Sequence, residues 1–163
     1  MNGIYLLLGS NLGNRLEYLR EAEHLLIQKG IQVIDESTIY ETKPWGKENQ
    51  GWFLNVVLQI ETSKRPEELL ETILGIEKEL GRVRKEKWGE RSIDIDILYF
   101  HDEVLDTEAL KIPHPGISNR RFTLIPLAEM CPLELHPITK QSQMQMLADC
   151  TDELDCKPTD YKL

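Results

Sequence analysis

Hydrophobic and polar positions alternate along the first half of the chain with two different periods. Residues 4–8 form a short apolar run that ends at Gly9, which predicts a buried strand. Apolar residues then recur at helical spacing over residues 14–29, and Gly30 supplies a C-terminal stop. Residues 31–42 are rich in β-branched side chains and predict one long strand, and residues 53–62 predict another.

The next two segments repeat this helix-then-strand order. Pro66 at a first helical position and acidic residues in the first turn predict a helix that ends at Gly81. Further on, Ile93, Ile95 and Ile97 alternate with Asp94 and Asp96. Since successive side chains of a strand point to opposite faces, the isoleucines are predicted to enter a core while both carboxylates project from the other face.

The predicted order of elements, βαββαβ, indicates an α+β fold of the ferredoxin-like sandwich type. In such a sandwich the helices cover one face of an antiparallel sheet, and we expect the other face to be free for ligands. Extra C-terminal helices over residues 122–129 and 141–148, with short strands, are expected to wrap this core. Residues 1–163 are therefore treated as a single domain.

Composition excludes several classes of protein. With 40% hydrophobic and 29% charged residues, the chain has an ordinary globular composition. We find no apolar run near the roughly 20 residues of a membrane span, and no signal peptide. Three cysteines without C-x-x-C spacing indicate reduced thiols and a cytoplasmic location. The net charge of −9 argues against a nucleic-acid binder, although not against a small nucleotide.

The strongest candidate chemistry lies in residues 82–96. Two carboxylates side by side repel each other, so a strand that carries Asp94 and Asp96 on one face favours a cation between them. Mg²⁺ accepts a few carboxylates and keeps phosphate oxygens and waters. Arginine binds phosphate with two parallel hydrogen bonds, and the segment just before the aspartates is rich in cations: Arg82, Arg84, Lys85, Lys87 and Arg91. The pattern indicates magnesium–nucleotide chemistry; the alternatives are a solvated sheet face and a solvated charged loop.

Other features are weaker taken singly. The loops 43–52 and 81–90 are long and carry tryptophan, so we interpret them as candidate lids. Residues 9–13 fail the phosphate-loop template and are interpreted as a strand-to-helix turn. Asn55 lies in mid-strand and therefore needs a polar partner. His114, between two prolines, is by itself typical of a structural surface histidine. The spacing suggests neither a Ser-His-Asp order nor a catalytic cysteine, so a protein nucleophile is not expected.

Taken together, the motifs resemble the hydroxymethyl-dihydropterin pyrophosphokinase family of folate biosynthesis. The matching segments occur in the family's order, and the most specific of them is Arg91-x-x-Asp94-x-Asp96 followed by Pro113-His114. The full set comprises residues 8–15, 40–44, 53–56, 77–84, 88–98, Pro113-His114 and Asn119-Arg120-x-Phe122. Residues 136–163 match the family only weakly.

The resemblance implies transfer of diphosphate from ATP to the hydroxymethyl oxygen of the pterin, with release of AMP. Asp94 and Asp96 would hold two Mg²⁺ ions, and catalysis would rest on positioning and electrostatics. The implied catalytic residues are Arg82, Arg91, Asp94 and Asp96. The implied ATP contacts are Glu77, Arg82, Arg84, Lys85, Trp88, Arg91, Ile97, His114 and Arg120. The implied pterin contacts are Gly9, Thr42, Pro44, Trp45, Phe53, Asn55 and Phe122.

Within that pocket, Phe53 and Phe122 would stack on the two sides of the pterin ring, and Asn55 and Thr42 would read its polar edge. Gly9 would let the backbone approach the ring closely. The implied partners are only these small molecules, and we expect a monomer. Two alternatives remain: a metal-dependent nucleotide hydrolase, which has no need of the pterin pocket, and a non-catalytic small-molecule-binding module, which has no need of paired aspartates beside a cation cluster.

Overall fold

An antiparallel sheet forms the centre of the molecule in the computed structural model, which describes residues 1–46, 49–81 and 91–163. The strands are β1 (Ile4–Ser10), β2 (Gln32–Glu36), β3 (Tyr40–Thr42), β4 (Phe53–Glu61), β5 (Asp94–Phe100), β6 (Leu105–Asp106), β7 (Lys111–Ile112) and β8 (Cys156–Pro158). The helices are α1 (Arg15–Gln28), α2 (Pro66–Glu79), α3 (Arg121–Met130) and α4 (Gln143–Asp149), with a 3₁₀ turn at Ile117–Asn119.

Strand β1 lies between β5 and β4 in the sheet. The strands are ordered β5-β1-β4-β3-β8, β2 also pairs with β4, and each pairing is antiparallel. Helices α1 and α2 are the crossovers that connect β1 to β2 and β4 to β5. Strands β6 and β7 form a separate two-stranded sheet.

The predicted helix ends are confirmed by local geometry. The Asn14 side chain accepts a hydrogen bond from the backbone N–H of Glu17 (3.4 Å) and so caps α1. Gly30 and Gly81 follow the two helices with φ of +79° and +76°, the left-handed region that glycine enters at no steric cost. Pro66 occupies the first turn of α2, where its missing N–H leaves no hydrogen bond unmade.

The expectation that one sheet face is free is wrong over part of the sheet. One face packs on α1 and α2 through residues such as Leu6, Leu26 and Ile73. On the opposite face, α3 and α4 pack against a second core whose sheet residues include Tyr5, Leu7 and Tyr99. The apolar run of β1 is buried on both faces, so its continuity in sequence has a physical reason. The end of this face near Gly9 carries the partly exposed Asp94 and Asp96.

The single long strand predicted over residues 31–42 is also wrong. It is divided into β2 and β3, because side-chain hydrogen bonds at Ser37 and Thr38 interrupt the backbone ladder with β4. Ser37 exchanges hydrogen bonds with Val57, through its N–H to the Val57 carbonyl (2.9 Å) and through its hydroxyl from the Val57 N–H (3.0 Å). Thr38 donates from its N–H and its hydroxyl to Glu129 of α3 (both 2.9 Å).

Among the described residues, no helix is long and apolar enough to cross a membrane.

Helix α2 offers a matched test of the first core. Ile73 is 0% exposed, whereas its neighbour Leu74 is 39% exposed. We expect Ile73→Ala to lower the free energy of unfolding by about 2–5 kcal/mol, because it removes buried methylenes and leaves a cavity. Leu74→Ala should change it by less than about 1 kcal/mol. Urea denaturation at 25 °C measures both values, and equal losses would contradict the assignment of this face to the core.

Candidate active site

Three residues on adjacent strands form one row across the sheet. In the register of β1, Gly9 lies opposite Asn55 of β4 on one side and opposite Asp94 of β5 on the other. Residues paired across antiparallel strands share a face, and neighbouring strands are about 4.8 Å apart. A carboxylate and an amide therefore flank a position that has no side chain. We call this set the Asp94–Gly9–Asn55 row.

The gap above Gly9 is filled at one side by the Asn55 amide. A Cβ atom at position 9 would lie 2.6 Å from Asn55 Oδ1 and 3.7 Å from the Phe53 ring. Asn55 is 4% exposed, and its Nδ2 donates to the hydroxyl of Thr42 on β3 (2.7 Å). The polar partner expected for Asn55 is thus Thr42. With Nδ2 engaged, Oδ1 is left facing the gap, where it can accept a hydrogen bond from a ligand.

The carboxylate strand has the predicted arrangement of faces. Ile93, Ile95 and Ile97 are at most 4% exposed in the first core, while Asp94 and Asp96 are partly exposed on the opposite face. The Ile97 side chain is thus buried in the core. The ATP contact that the family resemblance implies for Ile97 would therefore be made by its backbone.

Two charged side chains, those of Arg91 and Glu77, bond to this strand. The Arg91 guanidinium forms an ion pair with Asp94 and lies over the Phe53 ring, 5.9 Å from its centroid. Glu77 of α2 is 3% exposed and accepts a hydrogen bond from the backbone N–H of Ile95 (2.9 Å). Glu77 therefore holds the peptide that lies between the two aspartates, and it anchors β5 to α2.

The donor set of the aspartates fits Mg²⁺. Carboxylate oxygens are hard ligands, and Mg²⁺ uses one or two carboxylates while its other ligands are waters and phosphate oxygens. In residues 1–46, 49–81 and 91–163 there is no group of three or more His, Cys, Asp or Glu side chains that could enclose a metal. A pair of aspartates suits an ion that arrives with a polyphosphate better than a permanently bound structural metal.

A bulge in β5 brings His114 to the site. The register places Tyr5 opposite Tyr99 but Leu6 opposite Ile97, so Leu98 is an extra residue in β5. The Leu98 carbonyl accepts a hydrogen bond from the backbone N–H of His114 (2.9 Å). The bulge thereby fixes the segment after β7 next to the carboxylate strand.

His114 is held in one protonation state. Burial lowers the pKa of His114 to about 4; the positive charge of Arg120 acts in the same direction and Asp94 in the opposite one. Its Nδ1 accepts a hydrogen bond from the Gly116 N–H (3.0 Å). At neutral pH the ring is therefore uncharged with its proton on Nε2, a donor suited to an oxygen of a ligand.

Arg120 lies close to the aromatic rings of both Trp45 and Phe122. Its Cζ lies 5.0 Å from the centroid of the Trp45 ring and 5.9 Å from that of Phe122. It also crosses Gly116 so closely that a Cβ there would lie 2.7 Å from Cζ. Trp45, Phe122, Arg120 and His114 thus form one neighbourhood, while Phe53, Arg91 and Asp94 form another.

Asn11 is a residue of the site that the sequence analysis missed, because residues 9–13 were interpreted only as a turn. It is 6% exposed, and its Oδ1 accepts from the Arg91 N–H (2.9 Å). Its Nδ2 donates to Gln50 Oε1 (3.1 Å) and to the Gly51 carbonyl (3.2 Å). Asn11 therefore ties the loop before Phe53 to the start of the carboxylate segment. The sequence signals are an asparagine directly after a buried strand and its place within residues 8–15, a segment that resembles the family.

Part of the predicted site lies outside the described residues. This applies to Arg82, Arg84, Lys85, Lys87 and Trp88, and with them to the predicted lid at 81–90 beyond Gly81. The other predicted lid, residues 43–52, is described except for positions 47 and 48, and its Pro44 is buried.

Comparison with known proteins supplies the remaining observations. Residues 5–132 match the sequence model of the family described as 7,8-dihydro-6-hydroxymethylpterin-pyrophosphokinase. A 2-amino-4-hydroxy-6-hydroxymethyldihydropteridine pyrophosphokinase of Bacillus subtilis is 51% identical over 133 residues, which are 80% of each protein. The Aquifex aeolicus protein of the same name is 48% identical over 141 residues, which cover 86% of this chain and 88% of that protein.

Some relatives are much longer. A folic acid synthesis protein of Pneumocystis carinii is 40% identical over 95% of this chain, which corresponds to 21% of its own length. Among solved structures, a Plasmodium falciparum HPPK-DHPS chain superposes with a TM-score of 0.69 at 18% identity, over 91% of this chain and 45% of that one. At this identity the superposition shows a shared fold, and this chain spans less than half of that protein.

The state of His114 can be tested in the metal-free protein by NMR titration of its imidazole. We expect a pKa near 4, against about 6.5 for an unperturbed histidine, and the Nε2–H tautomer at pH 7. Because the folded-state pKa is depressed, the neutral ring contributes stability above pH 6.5, and this contribution is lost as the pH falls towards 4.

As the pH falls through that window, the free energy of unfolding should therefore fall less steeply in His114→Gln than in the wild-type protein. In the wild-type protein, a fully shifted group contributes up to about 1.4 kcal/mol per pH unit to the slope. Burial also lowers the pKa of His136, and its contribution to the slope should be the same in both proteins. The exposed His24 gives the control variant His24→Gln. A His114 pKa near 6.5 would contradict the burial of this ring.

Proposed function

The chain belongs to the 7,8-dihydro-6-hydroxymethylpterin-pyrophosphokinase family, and we propose that the Asp94–Gly9–Asn55 row is the centre of its active site. The protein is an ATP-dependent diphosphotransferase of folate biosynthesis, with ATP as co-substrate. It transfers the diphosphate of ATP to the hydroxymethyl oxygen of 6-hydroxymethyl-7,8-dihydropterin and releases AMP.

One observation supports this proposed location of the reaction. The row brings a carboxylate suited to a metal-bound polyphosphate and an amide suited to a heterocycle edge to the two sides of one glycine. Binding of the two substrates on either side of Gly9 would place the hydroxymethyl oxygen next to the triphosphate. Such positioning converts a reaction between two molecules into one within a single complex, which is a large part of catalysis.

On the nucleotide side, Asp94 and Asp96 would hold Mg²⁺, as many as two ions. The metal, when bound, supplies positive charge that offsets the charge of the triphosphate. Arg91 would contact ATP and stabilise negative charge as the bond to AMP breaks, and Arg120 and neutral His114 would donate hydrogen bonds to phosphate oxygens. The ATP contacts assigned to Glu77, Arg82, Arg84, Lys85, Trp88 and Ile97, and a catalytic role for Arg82, rest on the family resemblance.

On the pterin side, Phe53 and Phe122 would stack on the ring, since both are partly exposed beside a guanidinium. Asn55 Oδ1 would accept a hydrogen bond from the amine edge of the pterin, in an orientation that Thr42 fixes. Pro44 and Trp45 would complete the pocket where the chain leaves β3. Removal of water from this closed pocket would favour transfer to the pterin over hydrolysis.

The fold class is proposed as ferredoxin-like. The strand order β5-β1-β4-β3, with crossover helices α1 and α2 on one face, supports this assignment. The monomeric state and the cytoplasmic location stay predictions of the sequence. Neither alternative, the non-catalytic module or the nucleotide hydrolase, is favoured, because the chain belongs to a family of pyrophosphokinases.

The metal assignment is tested by Asp96→Ala. We expect turnover to fall by roughly 100-fold or more, because several kcal/mol of charge stabilisation at the triphosphate would be lost. Pterin affinity should stay within about two-fold, since Asp96 lies two residues beyond the row. Chromatography of AMP and diphosphorylated pterin, with isothermal titration for pterin binding, measures both quantities.

The matched control is Asp35→Ala, a change of the same charge at an exposed position of β2, which should behave as wild type. Near-normal turnover in Asp96→Ala would overturn the metal assignment. Release of ADP or phosphate by the wild-type protein without pterin would instead support a hydrolase.

The pterin side of the row is tested by Gly9→Ala. Its new Cβ would lie 2.6 Å from Asn55 Oδ1, so the amide must move and its hydrogen bond to the pterin is lost. One such bond is worth about 1–1.5 kcal/mol, so we expect the Kd for pterin to rise about ten-fold while ATP affinity is unchanged. Isothermal titration with each ligand checks this expectation.

Gly75→Ala is the matched control, because a Cβ at that helical position meets no atom within 4 Å. If Gly9→Ala bound pterin as tightly as Gly75→Ala, the pterin would not lie over Gly9.

A further inference from the structure

The last residues of the chain form the edge of the sheet on the pterin side. Strand β8 pairs antiparallel with β3, so that Thr42 lies opposite Cys156 and Tyr40 opposite Pro158. This strand lies beyond residues 5–132, the part of the chain that matches the family model. The C-terminal segment 150–163 is named here the tail.

The tail is bonded to both ends of β3. Before β3, the Ile39 carbonyl accepts hydrogen bonds from the N–H (3.0 Å) and the hydroxyl (2.8 Å) of Thr159. After β3, the Lys43 N–H donates to the Asp155 carbonyl (3.1 Å), and the Lys43 ammonium pairs with the Asp155 carboxylate (3.0 Å). These bonds hold the backbone that carries Thr42, and Thr42 in turn fixes the Asn55 amide on β4.

The tail also reaches the aromatic residue next to Phe53. The ammonium groups of Lys157 and Lys43 lie over the Trp52 indole, 5.4 Å and 5.7 Å from the ring centroid. Both distances are within the range of a cation–π contact. The Trp52 carbonyl accepts from Arg15 Nη1 (2.8 Å). Trp52 is thus contacted at its ring by Lys157 of the tail and by Lys43, which follows β3, and at its backbone by Arg15 of α1.

We propose that the tail is a positioning element of the pterin pocket, and that Lys157 acts on pterin binding through Trp52. The inference rests on the proposed function, since it assigns Lys157 to the pocket in which Phe53, Asn55 and Thr42 meet the pterin. Lys157 is a positioning residue, because its contact is with the Trp52 ring. It restrains Trp52 and so limits the backbone freedom of Phe53, the next residue along the chain.

The first test is Lys157→Ala, which removes an exposed side chain and leaves the β3–β8 ladder in place. We expect the KM and Kd for pterin to rise about two- to five-fold, the change that corresponds to one exposed cation–π contact. The KM for ATP and the melting temperature should be unchanged. Lys157→Arg keeps the cation over the ring and should restore wild-type values. Lys162→Ala, an exposed change of the same charge within the tail, is the control.

The second test is a double-mutant cycle with Trp52→Leu. If Lys157 acts through Trp52, Lys157→Ala should have no further effect on pterin binding in the Trp52→Leu background. Wild-type pterin affinity in Lys157→Ala would overturn the proposal. So would an undiminished effect of Lys157→Ala without Trp52, or an equal effect of Lys162→Ala. A lowered melting temperature with equal losses for both substrates would show a structural role only.

A separate readout distinguishes this proposal from the proposed function. The indole N–H resonance of Trp52, assigned by its loss in Trp52→Leu, should shift in Lys157→Ala and return in Lys157→Arg. Absence of pterin-dependent AMP from the wild-type protein would overturn the function and with it the role of the contact in pterin binding, whereas an unshifted resonance would overturn the Lys157–Trp52 contact itself.

Discussion

The register of β1 is the constraint on which the rest of the site depends. This strand is hydrogen-bonded on both sides, to β4 and to β5, and both pairings bring their polar residue to Gly9. Side chains alternate between faces along a strand, so a slip of one residue in either pairing would move Asn55 or Asp94 to the opposite face. The burial of β1 on both faces makes such a slip costly, because it would bring polar groups into an apolar core.

The arginines of the described part of the site are held in place before any substrate arrives. Arg91 contacts Asp94 and Phe53, and Arg120 contacts Trp45 and Phe122. A long side chain that is already ordered loses less conformational entropy when it binds a phosphate. This explains how a chain with a net charge of −9 suits an anionic substrate: the local arrangement of guanidinium groups matters, and the overall charge does not.

Patterns with a strict period were sufficient to predict much of this structure. The alternation of Ile93, Ile95 and Ile97 with two aspartates predicted the buried and polar faces of β5, and glycine and proline signals predicted the helix ends. What could not be predicted depends on partners remote in sequence. The division of residues 31–42 follows from bonds of Ser37 to Val57 and of Thr38 to Glu129, and the bulge at Leu98 interrupts a run in which every residue is apolar.

The same distinction applies to the candidate site. The aspartates, Asn55 and Gly9 carry signals in residue type and position, and the family resemblance adds the arginines and aromatic residues. For Asn11 the segment 8–15 matches the family but gives no role to this residue, and the tail is a short segment that matches the family weakly. Their contacts, Asn11 to Arg91 and Lys157 to Trp52, join residues that are 80 and 105 positions apart in the chain.

Strand β8 also bears on how copies of this protein meet one another. Among the described residues it is the last strand on its side of the sheet, and an outermost strand offers unpaired backbone groups to any other chain in an extended conformation. This one is only three residues long and contains an exposed lysine and a proline, which has no N–H to donate. The tail therefore replaces the edge of β3 with one that is poorly suited to pairing, and it protects the sheet from growing into an aggregate.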